Sequence, residues 1–234
     1  MSVLLLRLCG PMQSWGVQSR FSIRDTGLEP SKSGVIGLLC AALGRPRTAS
    51  LDDLAALTMG VRVDQEGQLR YDYHTAMDVL RASGGNKPTE PSRRYYLADA
   101  KFLVGFASED DTLLYTIHDK LRSPVWALFL GRKSFVPSES IWLEDGLRIG
   151  DSLSNTLSHY RSLRLPNEKK SMQEKVDRVR LVMEDKNGVE VHPDQPISFA
   201  LNQRRFALRR VTTSMIAMPK TSLSNTETEA KEES

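Results

Sequence analysis

The side chains that offer chemistry lie in a few short stretches. Tyr71-Asp72-Tyr73-His74 is the most enzyme-like. On a strand, Tyr71 and Tyr73 face one side while Asp72 and His74 face the other. A histidine beside tyrosines supports general acid–base cleavage of RNA, and the same tyrosines equally suit stacking on bases or core. Gly10-Pro11-Met12-Gln13-Ser14-Trp15-Gly16 has glycines at both ends, which permit close backbone approach. Trp15 offers a face for base stacking and Gln13 an amide for a base edge. The alternative is a structural turn with Trp15 packed inward. Arg20, Arg24 and Lys32 share the next connection, and Ser33 with the free amides of the following helix makes a natural phosphate site.

Further cations come in clusters. Arg93-Arg94 follows a loop rich in glycine and proline, and Gly131-Arg132-Lys133-Ser134 closes an apolar run. Arg204-Arg205 and Arg209-Arg210 bracket Phe206, and Arg161, Arg164, Lys169 and Lys170 form another group. Each alone reads as a solvated face. Together they suit a phosphate track, because counterion release rewards many weak contacts at once. The marks of familiar enzymes are missing: no Gly-x-x-x-x-Gly-Lys-Ser, Gly-x-Gly-x-x-Gly, Cys-x-x-Cys, His-x-x-x-His or Gly-x-Ser-x-Gly occurs. No catalytic residue, metal or cofactor is therefore expected.

The elements that must position these residues follow from apolar spacing. Val3 to Cys9 reads as a buried strand, broken at Gly10-Pro11. A helix spans Val35 to Leu43, with Ser31 as its cap and Gly44 and Pro46 as its stop. A second helix starts at Ser50 and runs through Leu57. Val61-Arg62-Val63 and Leu69 to Tyr73 flank Asp64 to Gln68 as a hairpin, and Ser83 to Ser92 reads as a protruding loop. Tyr95 to Phe106 reads as one long strand, Thr112 to Leu121 as a helix and Val125 to Leu130 as a buried strand. That order is α+β and ferredoxin-like. Val176 to Met183, Gly188 to Val191 and Gln203 to Val211 read as strands of a small antiparallel appendage. The expected organisation is a first domain over 1–136, a β-rich region over 137–218 and a disordered acidic tail over 219–234.

Composition sets bounds on partners. The net charge is +3, yet Thr221 to Ser234 holds four acids and one base, which leaves +6 on the body (31 basic against 25 acidic residues). A basic body suits an anionic partner. No run of about 18 apolar residues exists, so no membrane span is expected. Cys9 and Cys40 lie in apolar segments and read as core residues of a cytoplasmic protein.

Several of these stretches occur together and in order as they do in a known family. Leu5 to Gly16, Pro30 to Leu39, Asp72 to Thr75, Tyr96 to Phe102 and Phe129 to Ser134 carry the likeness. Over about residues 3 to 136 the chain resembles the CasD family, the crRNA 5′-handle-binding subunits of type I-E CRISPR Cascade complexes. The resemblance implies a ferredoxin-like (RRM-like) RAMP domain with an inserted β-hairpin thumb, at about Asp78 to Arg94 here, and a small β-rich C-terminal part. It implies a non-catalytic subunit for antiviral defence that holds the crRNA 5′ handle against the glycine-flanked loop, the first helix's start and the last strand's edge. The RNA-binding residues would then be Gln13, Trp15, Gly16, Arg20, Arg24, Lys32, Ser33, Tyr73, His74, Arg94, Arg132, Lys133 and Ser134. The implied partners are the Cascade backbone subunit and the large PAM-recognising subunit, with target DNA met indirectly through the guide. In the related type I-C branch, the equivalent subunit cleaves precursor RNA with a tyrosine and a lysine–histidine pair. No Lys-His dipeptide occurs here. A metal-independent endoribonuclease using His74 and Tyr73 is the alternative reading.

Overall fold

The computed structural model describes residues 1–16, 22–81, 83–164 and 177–220. Its elements are β1 (Ser2–Cys9), β2 (Met12–Gln13), β3 (Ile23–Arg24), α1 (Lys32–Leu43), α2 (Asp52–Ala55), β4 (Thr58–Gln65), β5 (Gln68–Leu80), β6 (Asn86–Ala98), β7 (Lys101–Ser108), α3 (Asp111–Arg122), β8 (Leu147–Arg148), α4 (Leu153–His159), β9 (Arg178–Glu184), β10 (Glu190–Ser198) and β11 (Arg205–Ala217). They build a seven-stranded sheet, in the order β10-β11-β9-β4-β7-β1-β8. In a second, smaller sheet β6 pairs with β2, β3 and β5.

The main sheet is covered on both faces, which is why β1 reads as an unbroken apolar run. Leu4, Leu6 and Leu8 join a core with Val35, Ile36 and Leu39 of α1 and Leu114 and Ile117 of α3. Val3 and Leu5 point the other way, into a second core with Leu153 and Leu157 of α4. Alternate residues of one strand thus reach different cores, as the pleat requires. Asp110 caps α3 by accepting the Leu113 N–H, and Lys120 and Arg122 sit near the negative end of the helix dipole. Cys9 and Cys40 are buried, and burial pushes their thiols up to about 12 and about 11.

Five expectations need correction. The segments 61–63 and 69–73 do not form a hairpin: β4 pairs with β7 and β9, whereas β5 pairs with β6. The long strand expected over 95–106 is two strands in different sheets, broken at Asp99, whose φ of 59° is left-handed. Most of the loop expected over 83–92 is instead an arm of the β5–β6 hairpin. Val125 to Leu130 is irregular and its first half is exposed. The Val125 and Trp126 N–H groups donate to Ala42 and Ala41 carbonyls at the end of α1, so this segment closes a helix end and does not enter a sheet. The edge beside β1 is taken by β8 instead. Finally, the C-terminal strands do not stand apart as an appendage, because β9 pairs with β4 inside the main sheet.

Candidate nucleic-acid interface

The second sheet gathers cations from three distant parts of the chain. β6 lies between β5 and β3, with Arg93 and Arg94 beside Ile23 and Arg24 on one edge. On the other edge, Asp72 faces Arg94, Tyr73 faces Arg93 and His74 faces Ser92. Tyr71 and Tyr95 pack with ring centroids 5.8 Å apart. The turn after Leu130 reaches the same place. Its closure needs Gly131, at φ 89°, where an added Cβ would lie 1.7 Å from the Ser14 carbonyl oxygen. Past that glycine, the Arg132 guanidinium donates from Nη2 to the Tyr95 carbonyl at 2.9 Å and to the Arg24 carbonyl at 3.4 Å. It also sits 5.4 Å from the centre of the Phe135 ring. Lys133 and Ser134 are exposed beside it.

The electrostatics of this rim are unbalanced. Burial, then the Arg94 and Arg24 charges, press the Arg132 pKa below its ordinary value, against weaker opposing pulls from Asp72 and Asp25. Arginine remains charged regardless. Burial is the larger cause of that direction, and the lesser one is the like charge of Arg94 and Arg24, beside which an added anion is favourable.

The loop over 10–16 has the opposite character. Trp15 is 1% exposed and Gln13 is wholly buried. Gln13 Nε2 donates to the Leu8 and Ala100 carbonyls, and its Oε1 accepts the Trp15 indole N–H at 3.2 Å. The indole lies against α1 at Gly34, where a Cβ would come 2.9 Å from its ring. Neither side chain presents a face or edge to a base. The start of α1 is also occupied from within. Asp194 accepts the Lys32 N–H at 2.7 Å and the Arg209 guanidinium at 2.8–2.9 Å, while Lys32 Nζ pairs with Glu184. Ser31 stands at the cap position but makes no side-chain cap bond, and Asp194 supplies the anion there.

Comparison with known proteins decides the family. The model for CRISPR-associated protein (Cas_Cas5) matches residues 3–212. The chain belongs to this family. A CRISPR system Cascade subunit CasD from Escherichia coli (strain K12) is 36% identical over 149 residues, 57% of this chain. The match spans 66% of that relative's length. A solved Cas protein is 40% identical with a TM-score of 0.73, over 93% of this chain and 98% of its own. A chain of a CRISPR RNA-guided surveillance complex is 33% identical with a TM-score of 0.76, over 93% and 91%.

Within this Cas_Cas5 member, the sequence-derived site divides in two. Arg24, Tyr73, His74, Arg94, Arg132, Lys133 and Ser134 lie on the second sheet or on the turn against it. Gln13, Trp15 and Lys32 are corrected to buried structural residues. Ser33 is half-buried on α1, Gly16 is exposed, and Arg20 lies outside the described residues, as do Lys169 and Lys170. Tyr95 and Asp194 were missed. Tyr95 acts through its carbonyl, which no side-chain motif reveals. Asp194 becomes a helix cap only through a partner 162 residues away. Among the described residues no cluster of His, Cys, Asp and Glu converges to hold a metal, and no helix is long and apolar enough to cross a membrane.

Proposed function

We propose that this chain is a non-catalytic, crRNA-binding subunit of a type I-E Cascade surveillance complex, and that the Arg24–Arg94–Arg132 rim holds the 5′ handle of the guide. The observation that carries this reading is the placing of Arg24, Arg94 and Arg132 side by side, with the Arg132 guanidinium on the Tyr95 and Arg24 carbonyls, beside exposed Lys133 and Ser134. A single-stranded handle supplies the missing anions, while exposed Tyr73 and half-exposed Tyr95 offer stacking faces on the opposite side of the same small sheet. His74 and Tyr73 are consecutive on one strand and face opposite ways, so they cannot work as a pair on one phosphodiester. That geometry supports binding over cleavage.

The antiparallel order β4-β7-β1-β8, with α1 between β1 and β4 and α3 after β7, supports a ferredoxin-like RAMP reading. The β5–β6 hairpin is its inserted thumb. Met77 and Leu80 near the hairpin tip are 76% and 82% exposed, which suits burial against the neighbouring backbone subunit. The relatives' membership of Cascade and surveillance complexes supports the same assembly here, with the large PAM-recognising subunit alongside and target DNA read by guide pairing.

Handle-RNA binding by the purified chain tests this. Arg24→Ala, Arg94→Ala and Arg132→Ala should each cost about 1.5–3 kcal/mol, as lost hydrogen bonds to charged groups do. Trp15→Phe should bind as the unaltered chain does. Unchanged binding by the triple arginine variant overturns the assignment.

A further inference from the structure

A second cationic surface lies on the other sheet. Strand alternation places Arg205, Ala207, Arg209 and Val211 of β11 on one face, and Arg209 and Val211 are buried there. On the opposite parity Leu208 and Arg210 are exposed, Leu208 to 71%, with half-buried Phe206 between them and exposed Arg204 just ahead of the strand. We propose that this outward stripe, together with Lys186, is a second binding surface for a single-stranded polynucleotide, independent of the handle rim.

Three observations carry it. First, the cations of the stripe are held in place without neutralisation. The Arg204 guanidinium lies 5.2 Å from the centre of the Phe206 ring. Phe206 leans on Phe199, with centroids 6.4 Å apart, and Phe199 is seated on α1 opposite Gly37. A guanidinium fixed on a ring loses less rotamer freedom when it meets a phosphate. Arg210 Nη1 donates to the Gly188 carbonyl at 3.0 Å, which orients the group and leaves its charge intact.

Second, Glu184 and Asp194 are already neutralised by ion pairs, while Asp185 is held by neutral donors and keeps its charge. Glu184 pairs with Lys32, and Asp194 pairs with Arg209. Asp185 accepts the Thr212 hydroxyl and the Asn187 N–H. Among the described residues no ion pair involves Arg204, Arg205, Arg210 or Lys186. Arg209, one residue from Arg210 but on the buried face, takes a carboxylate bidentately. The contrast separates an arginine built into the fold from those left for an outside anion.

Third, the stripe interleaves charge with apolar surface. Lys186, Val191, Leu208 and Arg210 line one open cleft, shared with Glu184 and Asp185, at the far end from Arg204. Six residues of strand set Arg204 and Arg210 about 20 Å apart. That spacing lets phosphates of an extended strand meet the two guanidiniums while its bases lie over Phe206 and Leu208. RNA and DNA share this chemistry, and the 2′-hydroxyl separates them.

The test measures affinity of the full chain for unstructured single-stranded RNA, and for DNA of the same sequence, across a salt series. Arg204→Ala with Arg210→Ala should raise Kd about tenfold and reduce the salt slope by about 1.4, since each lost phosphate contact on a single strand removes about 0.7. Circular dichroism and melting should match the unaltered chain. Ultraviolet cross-linking should recover a peptide containing Phe206. A larger loss with RNA than with DNA identifies RNA as the occupant, and an equal loss identifies the backbone shared by both. The rim triple variant, measured in parallel, separates the two surfaces. If it loses affinity while the β11 variant does not, this proposal is overturned and the handle reading stands. If only the β11 variant loses affinity, the handle reading fails and this one stands. Leu208→Asp that abolishes assembly with a protein subunit while nucleic-acid binding and its salt slope stay unchanged also overturns it.

Discussion

Arg62 and Arg132 bring the same side chain into opposite surroundings. Arg62 lies on β4, fully buried, and every direction of its fork is answered. It meets Asp64 at 2.5 and 2.9 Å and donates to the Leu157, Tyr160 and Arg161 carbonyls at the end of α4. Asp64 in turn accepts the Leu163 N–H. Arg132 is half-buried, bonds only to carbonyls and faces two more arginines. The first is a closed account of charge that fastens α4 to the sheet. The second is open. A cation whose partners lie inside the chain builds the fold, and one whose partners are missing points outward to a ligand.

The contrast is broken most directly at Asp64. Asp64→Ala leaves Arg62 buried and uncompensated, so urea denaturation should show a loss of about 3–5 kcal/mol. A loss under about 1 kcal/mol would mean that the Arg62 network is no more structural than the rim.

Acid sharpens it next. Burial pushes the Asp194 pKa up, but the Arg209 hydrogen bonds and charge, with the Lys32 N–H, outweigh burial and leave it below the ordinary carboxylate value. A folded pKa below the unfolded one adds stability that is present above the unfolded value of about 3.9 and lost as pH falls through the folded one. The urea midpoint of the unaltered chain should therefore fall toward that of Asp194→Asn as pH drops below about 4. Parallel acid limbs would remove Asp194 from the closed network.

The smallest expected change lies at the rim. Arg132→Ala should alter stability by no more than about 0.5 kcal/mol, because repulsion from Arg24 and Arg94 is relieved as its carbonyl contacts are lost. A melt shifted as far as that of Asp64→Ala would show that the rim is structural.

Several elements were legible in advance because their signals are local. The apolar run of β1, the Gly44 stop of α1 and the amphipathic spacing of α3 each depend on neighbours a few residues away. The division at Asp99 was not legible. Tyr95 to Phe106 alternates well enough for one strand, and only the pairing of its halves with β5 and β7's partners shows the break. Trp15 and Arg132 mark the same limit in the site. Both are motif residues, and sequence alone offered the indole as a stacking face and the guanidinium as a phosphate contact. Burial of the indole against Gly34 removed the first, while the open turn after Gly131 kept the second.

By itself, the sequence determined the family likeness, the basic body and the local course of most elements, since these are carried by residue type and short spacing. Only the tertiary structure decided which cations are spent. Lys32, Arg62 and Arg209 meet their carboxylates or carbonyls across the fold, whereas Arg24, Arg94 and Arg132 meet one another. Charge neutralisation depends on distance in space, and no one-dimensional pattern records that distance.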